Sequence, residues 1–236
     1  MTLADIFEHL TYGELSSLEL GDPYAGGIEP AQYKRIATHI NAALKALYTR
    51  FWLKSDEVII DLYDHIQTYT LDSKHAVTNK LSPVLPKYII DSEYEPFREE
   101  MLIKIEQVFN ECGENVCLND ITEPWSVFTP AYNQIQVPFP DRHNSLAIQY
   151  RRAPEKIIVD ENTDPKDIDI PVPTALHEAL LMYVAHRAFR SLNSDQNQES
   201  TNYMNLYEQA CQRAEMAGLF ITTNTGNLRL DQNGWV

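Results

Sequence analysis

The sequence predicts a mainly α-helical protein of the α+β class: an antiparallel helical bundle with a β-rich insertion and an extended C-terminal tail. Apolar residues recur at helical spacing near the N-terminus and again after Pro171, which indicates amphipathic helices. Between these segments lie short stretches rich in Val, Ile and Tyr, separated by turn formers. We therefore expect four regions: N-terminal helices at 1–56, a β-rich insertion at 57–168, a helix pair at 169–218 that completes the bundle, and a tail at 219–236.

Two helices are predicted in the N-terminal region. Leu3, Ile6, Phe7 and Leu10 follow helical spacing, and Thr2 or Asp5 could cap the first turn. A glycine-rich turn at 21–27 separates this helix from the next, which Pro30 opens, because a proline in the first turn sacrifices no helical hydrogen bond. The second helix should end near Lys54, and its apolar stripe comprises Ile36, Ile40, Leu44, Leu47 and Phe51.

The insertion is predicted to be antiparallel β-structure. Its residues alternate in the segment from Leu146 to Arg151, and turn formers such as Asn119–Asp120 and Pro140–Asp141 divide it into short pieces. The predicted strands are Val58–Tyr63, Thr68–Leu71, Tyr88–Ile90, Met101–Phe109, Ile135–Val137, Ser145–Tyr150 and Ile157–Val159.

A second pair of helices follows the insertion. The first begins after Pro171 with Pro173 in its first turn, and the second runs from Glu199 to Ala217 with Gly218 as its C-terminal stop. Because a short polar segment joins them, they should pack antiparallel. Their predicted contact faces are Leu176, Leu180, Tyr183 and Val184 with Ala175, Ala179, Ala185 and Ala188, and then Tyr203, Leu206, Tyr207, Ala210 and Ala214.

The predicted tail, 219–236, has scattered apolar residues and no helical stripe. A terminal Trp outside the core fits either a segment that docks onto another chain or a frayed end. The candidate partner-binding residues of this tail are Phe220, Leu228, Leu230, Trp235 and Val236.

Composition limits the function. The chain carries 19 Lys and Arg against 34 Asp and Glu, a net charge of −15, which opposes binding to a phosphate backbone. The acidity fits either a wall past which DNA slides or simple solubility. Three cysteines without a second metal-ligand pair are expected to stay reduced. The acidic N-terminal residues and the absence of any apolar run near 18 residues lead us to expect synthesis in the cytoplasm and no membrane association.

No recognised catalytic or cofactor motif is present. His177–Glu178 begins like a zinc-protease helix, but Leu181 stands where the second histidine is needed. The acidic run at 160–164 resembles a calcium loop, yet Pro165 and Pro171 occupy its glycine and glutamate positions. The sequence therefore predicts a protein that is not an enzyme and uses no cofactor or metal. A hydrolase with scattered carboxylates stays open as a distant alternative.

The order of elements resembles the adaptor subunits that form a ring between the portal and the tail of tailed bacteriophages. The resemblance is clearest in the helix pair, where the pattern PxxLxxALxxYVA within Ile170–Ala185 is followed by Tyr203–Cys211. Further similar segments are Leu10–Ser16, Gly26–Ile28, Asn41–Phe51, Asn119–Asp120, Ser126–Tyr132 and Leu146–Arg151.

The resemblance implies a structural role in the virion, at the head–tail junction. Such adaptors assemble as rings, usually dodecamers, whose helices pack around a DNA channel, while C-terminal tails bind the portal and the ring meets tail or nozzle proteins. DNA would pass through without specific binding. The alternative function from the residues alone is a cytosolic helical regulatory or binding module that uses the β-rich insertion as a platform for a ligand or partner.

Overall fold

The computed structural model describes residues 1–16, 28–160, 163–191 and 197–219. The chain divides into two compact units, which are considered separately. The helical unit is built from Met1–Leu53 and Pro154–Val236, and the β-rich unit is Lys54–Ala153. The described residues contain four α-helices together with antiparallel sheets, so the predicted α+β class is confirmed. The division of the chain into the four regions given above stays a prediction.

Helix α1 (Leu3–Tyr12) begins with a capping box. The Asp5 N–H donates to Thr2 Oγ1 at 3.2 Å, and the Thr2 N–H donates to Asp5 Oδ2 at 2.7 Å. This reciprocal pair satisfies two backbone donors that the first turn would otherwise leave open. Thr2 is therefore the cap, and Asp5 is its partner three residues later. The predicted stripe of α1 is buried as expected.

Helix α2 (Tyr33–Arg50) follows a 3₁₀ turn at Pro30–Gln32. The whole predicted stripe is buried, including Phe51, which lies just beyond the helix. The helix ends at Arg50, four residues earlier than predicted, because Phe51 adopts an extended backbone at φ −107° and ψ 145°. Its N–H still donates to the Leu47 carbonyl at 2.8 Å, and the extended direction leads toward the first strand.

Helices α3 (His177–Arg190) and α4 (Asn197–Met216) pack antiparallel, as predicted. The ring of Phe189 stacks on Tyr203 at 5.3 Å between centroids, and Tyr183 meets Tyr207 at 5.0 Å. The numbers of the two partners run in opposite directions, which is the signature of an antiparallel pair. Helix α3 also packs against α1 and α2 and is thus the centre of the helical unit.

The predicted faces of this pair need two corrections. Leu206 is exposed because it lies at the margin of the stripe that Tyr207, Ala210 and Ala214 form at steps of three and four. Ala175 is also exposed, since it belongs to a 3₁₀ turn at Thr174–Leu176 that precedes α3.

Gly218 ends α4, as predicted. Its φ of +64° is a conformation that favours glycine, and its N–H donates to the Glu215 carbonyl at 3.0 Å. The Leu219 N–H reaches back to Ala214 at 3.4 Å. These two bonds form a Schellman motif, which satisfies carbonyls at the end of the helix.

The β-rich unit contains a five-stranded and a three-stranded antiparallel sheet. The longest pairing joins β1 and β8, from Ser55↔Arg151 to Asp61↔Ser145. One apolar core, which includes Tyr69, Val108 and Ile148, draws side chains from both sheets. The strands are β1 (Ser55–Asp61), β2 (Thr68–Thr70), β3 (Ile89–Ile90), β4 (Leu102–Phe109), β5 (Asn115–Val116), β6 (Phe128–Ala131), β7 (Gln134–Gln136) and β8 (Ser145–Arg152).

One predicted strand is wrong. Ile157–Val159 forms no strand, because its backbone pairs with a side chain instead of a sheet: Asn41 Nδ2 donates to the Ile157 carbonyl and the Ile157 N–H donates to Asn41 Oδ1, both at 2.8 Å. Two short strands were not predicted. Strand β5 has two residues, and β6 contains Pro130, which lowers strand propensity.

Candidate interaction surfaces

Arg50, the last residue of α2, ties that helix to α4. Its guanidinium contacts Glu208 at 2.6 Å and Glu215 at 2.8 Å. The hydrogen bond to Glu215 raises the pKa of Arg50, and the same bond lowers the pKa of Glu215. Because the acids are half-exposed, the network is worth only about 1 kcal/mol, and it acts as a structural clamp.

His177 and Glu178 also have structural partners. His177 Nε2 lies 3.1 Å from the Val172 carbonyl, and Glu178 accepts a hydrogen bond from Arg213 at 2.7 Å. Within the described ranges, no group of three or more His, Cys, Asp or Glu side chains is placed to hold a metal ion. In the same part of the chain, no helix is both long enough and apolar enough to cross a membrane.

His39 is a buried polar residue of a different kind. Neither ring nitrogen has a hydrogen-bond partner, and burial, assisted by the positive charges of Arg187 and Arg35, lowers the pKa of the imidazole to about 4. The ring is therefore neutral near pH 7 and functions as a packing group of α2.

The candidate partner-binding residues of the tail lie outside the described residues. These are Phe220, Leu228, Leu230, Trp235 and Val236. The described chain reaches Leu219, an exposed residue directly after the end of α4. The role of these five tail residues in binding a partner therefore stays a proposal from the sequence.

The β-rich unit exposes a first apolar surface on the segment Val77–Lys87, here called the basic loop. Leu81 is 97% exposed and Leu85 is 80% exposed. Lys80 contacts Glu93 at 3.4 Å, but both side chains are largely exposed, so this ion pair is weak. These two leucines make the loop a candidate interaction surface.

The basic loop has a defined shape despite its exposure. Lys87 Nζ donates to the Lys74 carbonyl at 2.6 Å and to the Asn79 carbonyl at 3.0 Å. The Asn79 side chain also donates to Ser73 and accepts from the Ser82 N–H. At its start, the Val77 N–H donates to Ile89 of β3, at 3.0 Å. These bonds anchor both ends of the loop and Ser82 within it.

A second exposed surface comprises Asn119–Trp125 together with Phe139 and is here called the acidic patch. Trp125 is 68% exposed and Phe139 is 61% exposed, and their ring centroids lie 5.3 Å apart. Ile121 is 90% exposed, and Asp120 and Glu123 lie beside it in the sequence. A paired Trp and Phe on a surface have the composition of an interaction hot spot.

The acidic patch is also held by hydrogen bonds. Ser126, which is fully buried, donates its hydroxyl to the Cys117 carbonyl and accepts from the Asp120 N–H at 2.9 Å. Asp120 accepts hydrogen bonds from the hydroxyl and the backbone N–H of Thr122, and these bonds lower the pKa of its carboxyl. Asn119 adopts a φ of +57° and exchanges hydrogen bonds with Thr129. The loop is therefore ordered before any partner arrives.

Sequence reasoning missed both surfaces. The available signal was apolar residues inside proline-rich turns, at 81–86 and 124–125, where alternation into a strand cannot bury them. Such residues are interaction candidates because neither a helical stripe nor a strand face accounts for them.

Comparison with known proteins addresses the resemblance directly. A family model described as SU10 adaptor protein matches residues 10–227, which includes the whole β-rich unit and most of the helical unit. No curated protein matches the chain. The family agrees with the predicted class of structural phage adaptor proteins, which are components of the virion. Because the match extends over nearly the whole sequence, this chain belongs to the SU10 adaptor protein family.

Proposed function

We propose that this chain is the head-to-tail connector subunit of a tailed phage. Identical copies form a ring, a dodecamer in our proposal, that joins the portal to the tail or nozzle proteins and lines the channel through which DNA leaves the head. The observation that carries the proposal is the family match over residues 10–227. The match spans both structural units and is not limited to the helix pair. That breadth favours a connector over a cytosolic regulatory module.

The charge of the chain supports a passive channel. With a net charge of −15, the protein as a whole repels the phosphate backbone of DNA. A ring of such subunits would present a wall that repels phosphates and lets DNA pass without specific contacts. The proposed role requires no catalytic step.

Contacts between the helices of the helical unit support its proposed role as a ring subunit. Stacked aromatic rings join α3 to α4, and the Arg50 clamp joins α2 to α4. Interlocked contacts of this kind keep a subunit in one shape, and a closed ring requires each copy to present the same angle to its neighbours.

We propose that the tail beyond α4 binds the portal through Phe220, Leu228, Leu230, Trp235 and Val236. Deletion of 220–236 should leave a folded protein, because it spares Leu219 and the Schellman motif that closes α4. Portal binding should fall at least roughly tenfold, since truncation of apolar hot-spot residues typically costs more than 1 kcal/mol each. Co-sedimentation of the purified chain with the portal of the same phage measures this.

A matched control separates the apolar residues from the mere length of the tail. Replacement of Thr222, Thr223 and Asn224 by Ala should keep portal binding, whereas replacement of Phe220, Leu228 and Trp235 by Ala should reproduce the deletion. Full portal binding by the deleted chain would show that the tail is not the portal-binding element.

A further inference from the structure

On the basis of the ring proposed above, we propose that neighbouring subunits meet through two charged surfaces of the helical unit. The cationic surface of one copy docks against the aspartate segment of the next copy, so the occupant of each is a second copy of this chain. The cationic surface comprises Lys34, Arg35, Arg187 and Arg190, and the aspartate segment comprises Asp164, Asp167 and Asp169.

Two helices bring the residues of the cationic surface together. Lys34 and Arg35 lie in the first turn of α2, whereas Arg187 and Arg190 lie in the last turn of α3. Arg35 Nη2 donates to the hydroxyl of Ser191, the residue that follows α3, at 2.9 Å. The start of α2 and the end of α3 therefore lie side by side and form one positive surface.

The cationic surface is not neutralised by the described part of its own chain. No described carboxylate lies within ion-pair distance of any of its four cations. Lys34 and Arg190 are exposed, and the printed partner of Arg35 is the neutral hydroxyl of Ser191. In a chain whose net charge is −15, such a group of cations favours an anionic partner outside the subunit.

The position of Lys34 and Arg35 opposes the stability of α2. Positive charge in the first turn of a helix is unfavourable for the helix dipole, and this turn contains no acidic residue. The cations of α3 suit the end of their own helix, but they lie beside the two cations of α2. Positions that break a local rule are typical of functional sites. A contact with an anionic surface therefore explains the placement better than helix stability does.

The aspartate segment is an anionic surface of similar size. Asp164, Asp167 and Asp169 are exposed, and none of them forms an ion pair with a described base. The sequence 160–169 contains five carboxylates and a single base, Lys166. Backbone hydrogen bonds with the first residues of the chain hold the end of the segment in place. Opposite charge steers the two surfaces together and discriminates against wrong partners.

The two surfaces lie at opposite ends of the helical unit. The hydroxyl of Tyr48, near the end of α2, donates at 2.7 Å to the carbonyl of Pro171, two residues after Asp169. Arg35 lies at the other end of this helix, about 20 Å away along its axis. Surfaces so far apart pair between copies, and such heterologous contacts close into rings when the rotation between copies permits. A two-fold dimer through either surface would instead bring like charges together.

Charge reversal at exposed positions tests the contact. The cationic-surface variant carries Lys34→Glu and Arg190→Glu, and the aspartate-segment variant carries Asp167→Lys and Asp169→Lys. All four side chains are exposed, so both variants should keep the wild-type circular dichroism spectrum and Tm. Each full-length variant is mixed with the portal, and closed rings are counted by electron microscopy. We expect the ring fraction to fall at least roughly tenfold for each, because like charges then face each other across the contact.

A chain with all four substitutions is the sharpest variant. Its two surfaces have exchanged their signs, so the contact is attractive again in every copy and the ring fraction should return toward that of the wild type. The matched control joins the aspartate-segment substitutions to Lys45→Glu and Lys156→Glu, two exposed lysines outside both surfaces. Both chains keep the net charge of −15, because two acids become lysines and two bases become glutamates. The control should form no more rings than the aspartate-segment variant.

The salt dependence of the wild type is an independent measurement. The ring fraction should fall several-fold between about 0.1 M and about 1 M NaCl, since the Debye length shortens from about 10 Å to about 3 Å. An unchanged ring fraction would contradict a contact between charged surfaces.

The outcomes separate this inference from the function on which it rests. If the wild-type chain forms no ring with the portal, both proposals are wrong. If the wild type forms rings and either two-substitution variant does so equally well, the pairing is wrong while the connector function stands. Loss of rings that the four-substitution chain does not restore would show that the cationic surface meets another anion, on the portal or on DNA, which overturns the pairing. Equal recovery by the matched control would assign the effect to net charge and also overturn it.

Discussion

At the scale of single residues, pH acts on stability through His39. The pKa of its imidazole falls from the ordinary value of 6.5 to about 4 in the folded protein. Between these two pH values, the unfolded chain therefore binds a proton at His39 that the folded chain does not bind. The part of the unfolding free energy that depends on the neutral imidazole is fully present above pH 6.5, the pKa of His39 in the unfolded chain. It is lost as the pH falls from 6.5 toward 4. The facing charges, Arg35 on α2 and Arg187 on α3, oppose protonation further.

The prediction is a pH-dependent difference between the wild type and His39→Phe. Between about pH 7.5 and pH 5.5, the wild type should lose about 1 kcal/mol of unfolding free energy that the variant keeps. Urea unfolding at the two pH values measures the difference. Thr38→Val, at the exposed neighbouring position, should follow the wild type. Equal losses for His39→Phe and the wild type would show that His39 is not held neutral.

At the scale of secondary structure, Asn41 fixes the segment that re-enters the helical unit after the β-rich unit. Its side-chain amide pairs with both backbone groups of Ile157, as a neighbouring strand would. An extended segment without a sheet must satisfy its backbone in another way, and here a helix supplies one side chain for the purpose.

Asn41→Ala should therefore destabilise the protein by about 1–3 kcal/mol, because it leaves a partly buried N–H and C=O without partners. Chemical unfolding followed by circular dichroism measures the change. Asn205→Ala on the exposed face of α4 serves as the control and should change stability by less than about 0.5 kcal/mol. An Asn41→Ala protein as stable as the wild type would assign no energetic role to this pairing.

The pairing of Asn41 with Ile157 shows which elements the sequence could predict and which it could not. The four helices of the described residues were predicted from apolar spacing, because a helix buries one face whatever its partner is. The alternation at Ile157–Val159 looked like a strand, yet its backbone partner is Asn41, 116 residues earlier, which local pattern cannot reveal. Strands as short as Asn115–Val116 exist only through pairing with β4 and carry no pattern of their own.

At the scale of the whole molecule, the sequence identified the class of protein but not its exposed surfaces. The resemblance rested on short sequence segments spread along the chain, and the family match over residues 10–227 confirms it at the level of the family. The predicted tail residues, from Phe220 to Val236, lie outside the described part of the chain. Trp125 and Leu81 were missed because exposure depends on where the sheets place each loop.

Electron microscopy of the full chain mixed with the portal of the same phage tests the central claim most directly. The account predicts closed rings of identical subunits seated on one face of the portal, with a continuous central channel. Particles that show the bare portal, with the chain left free at concentrations well above those of assembly, would contradict it.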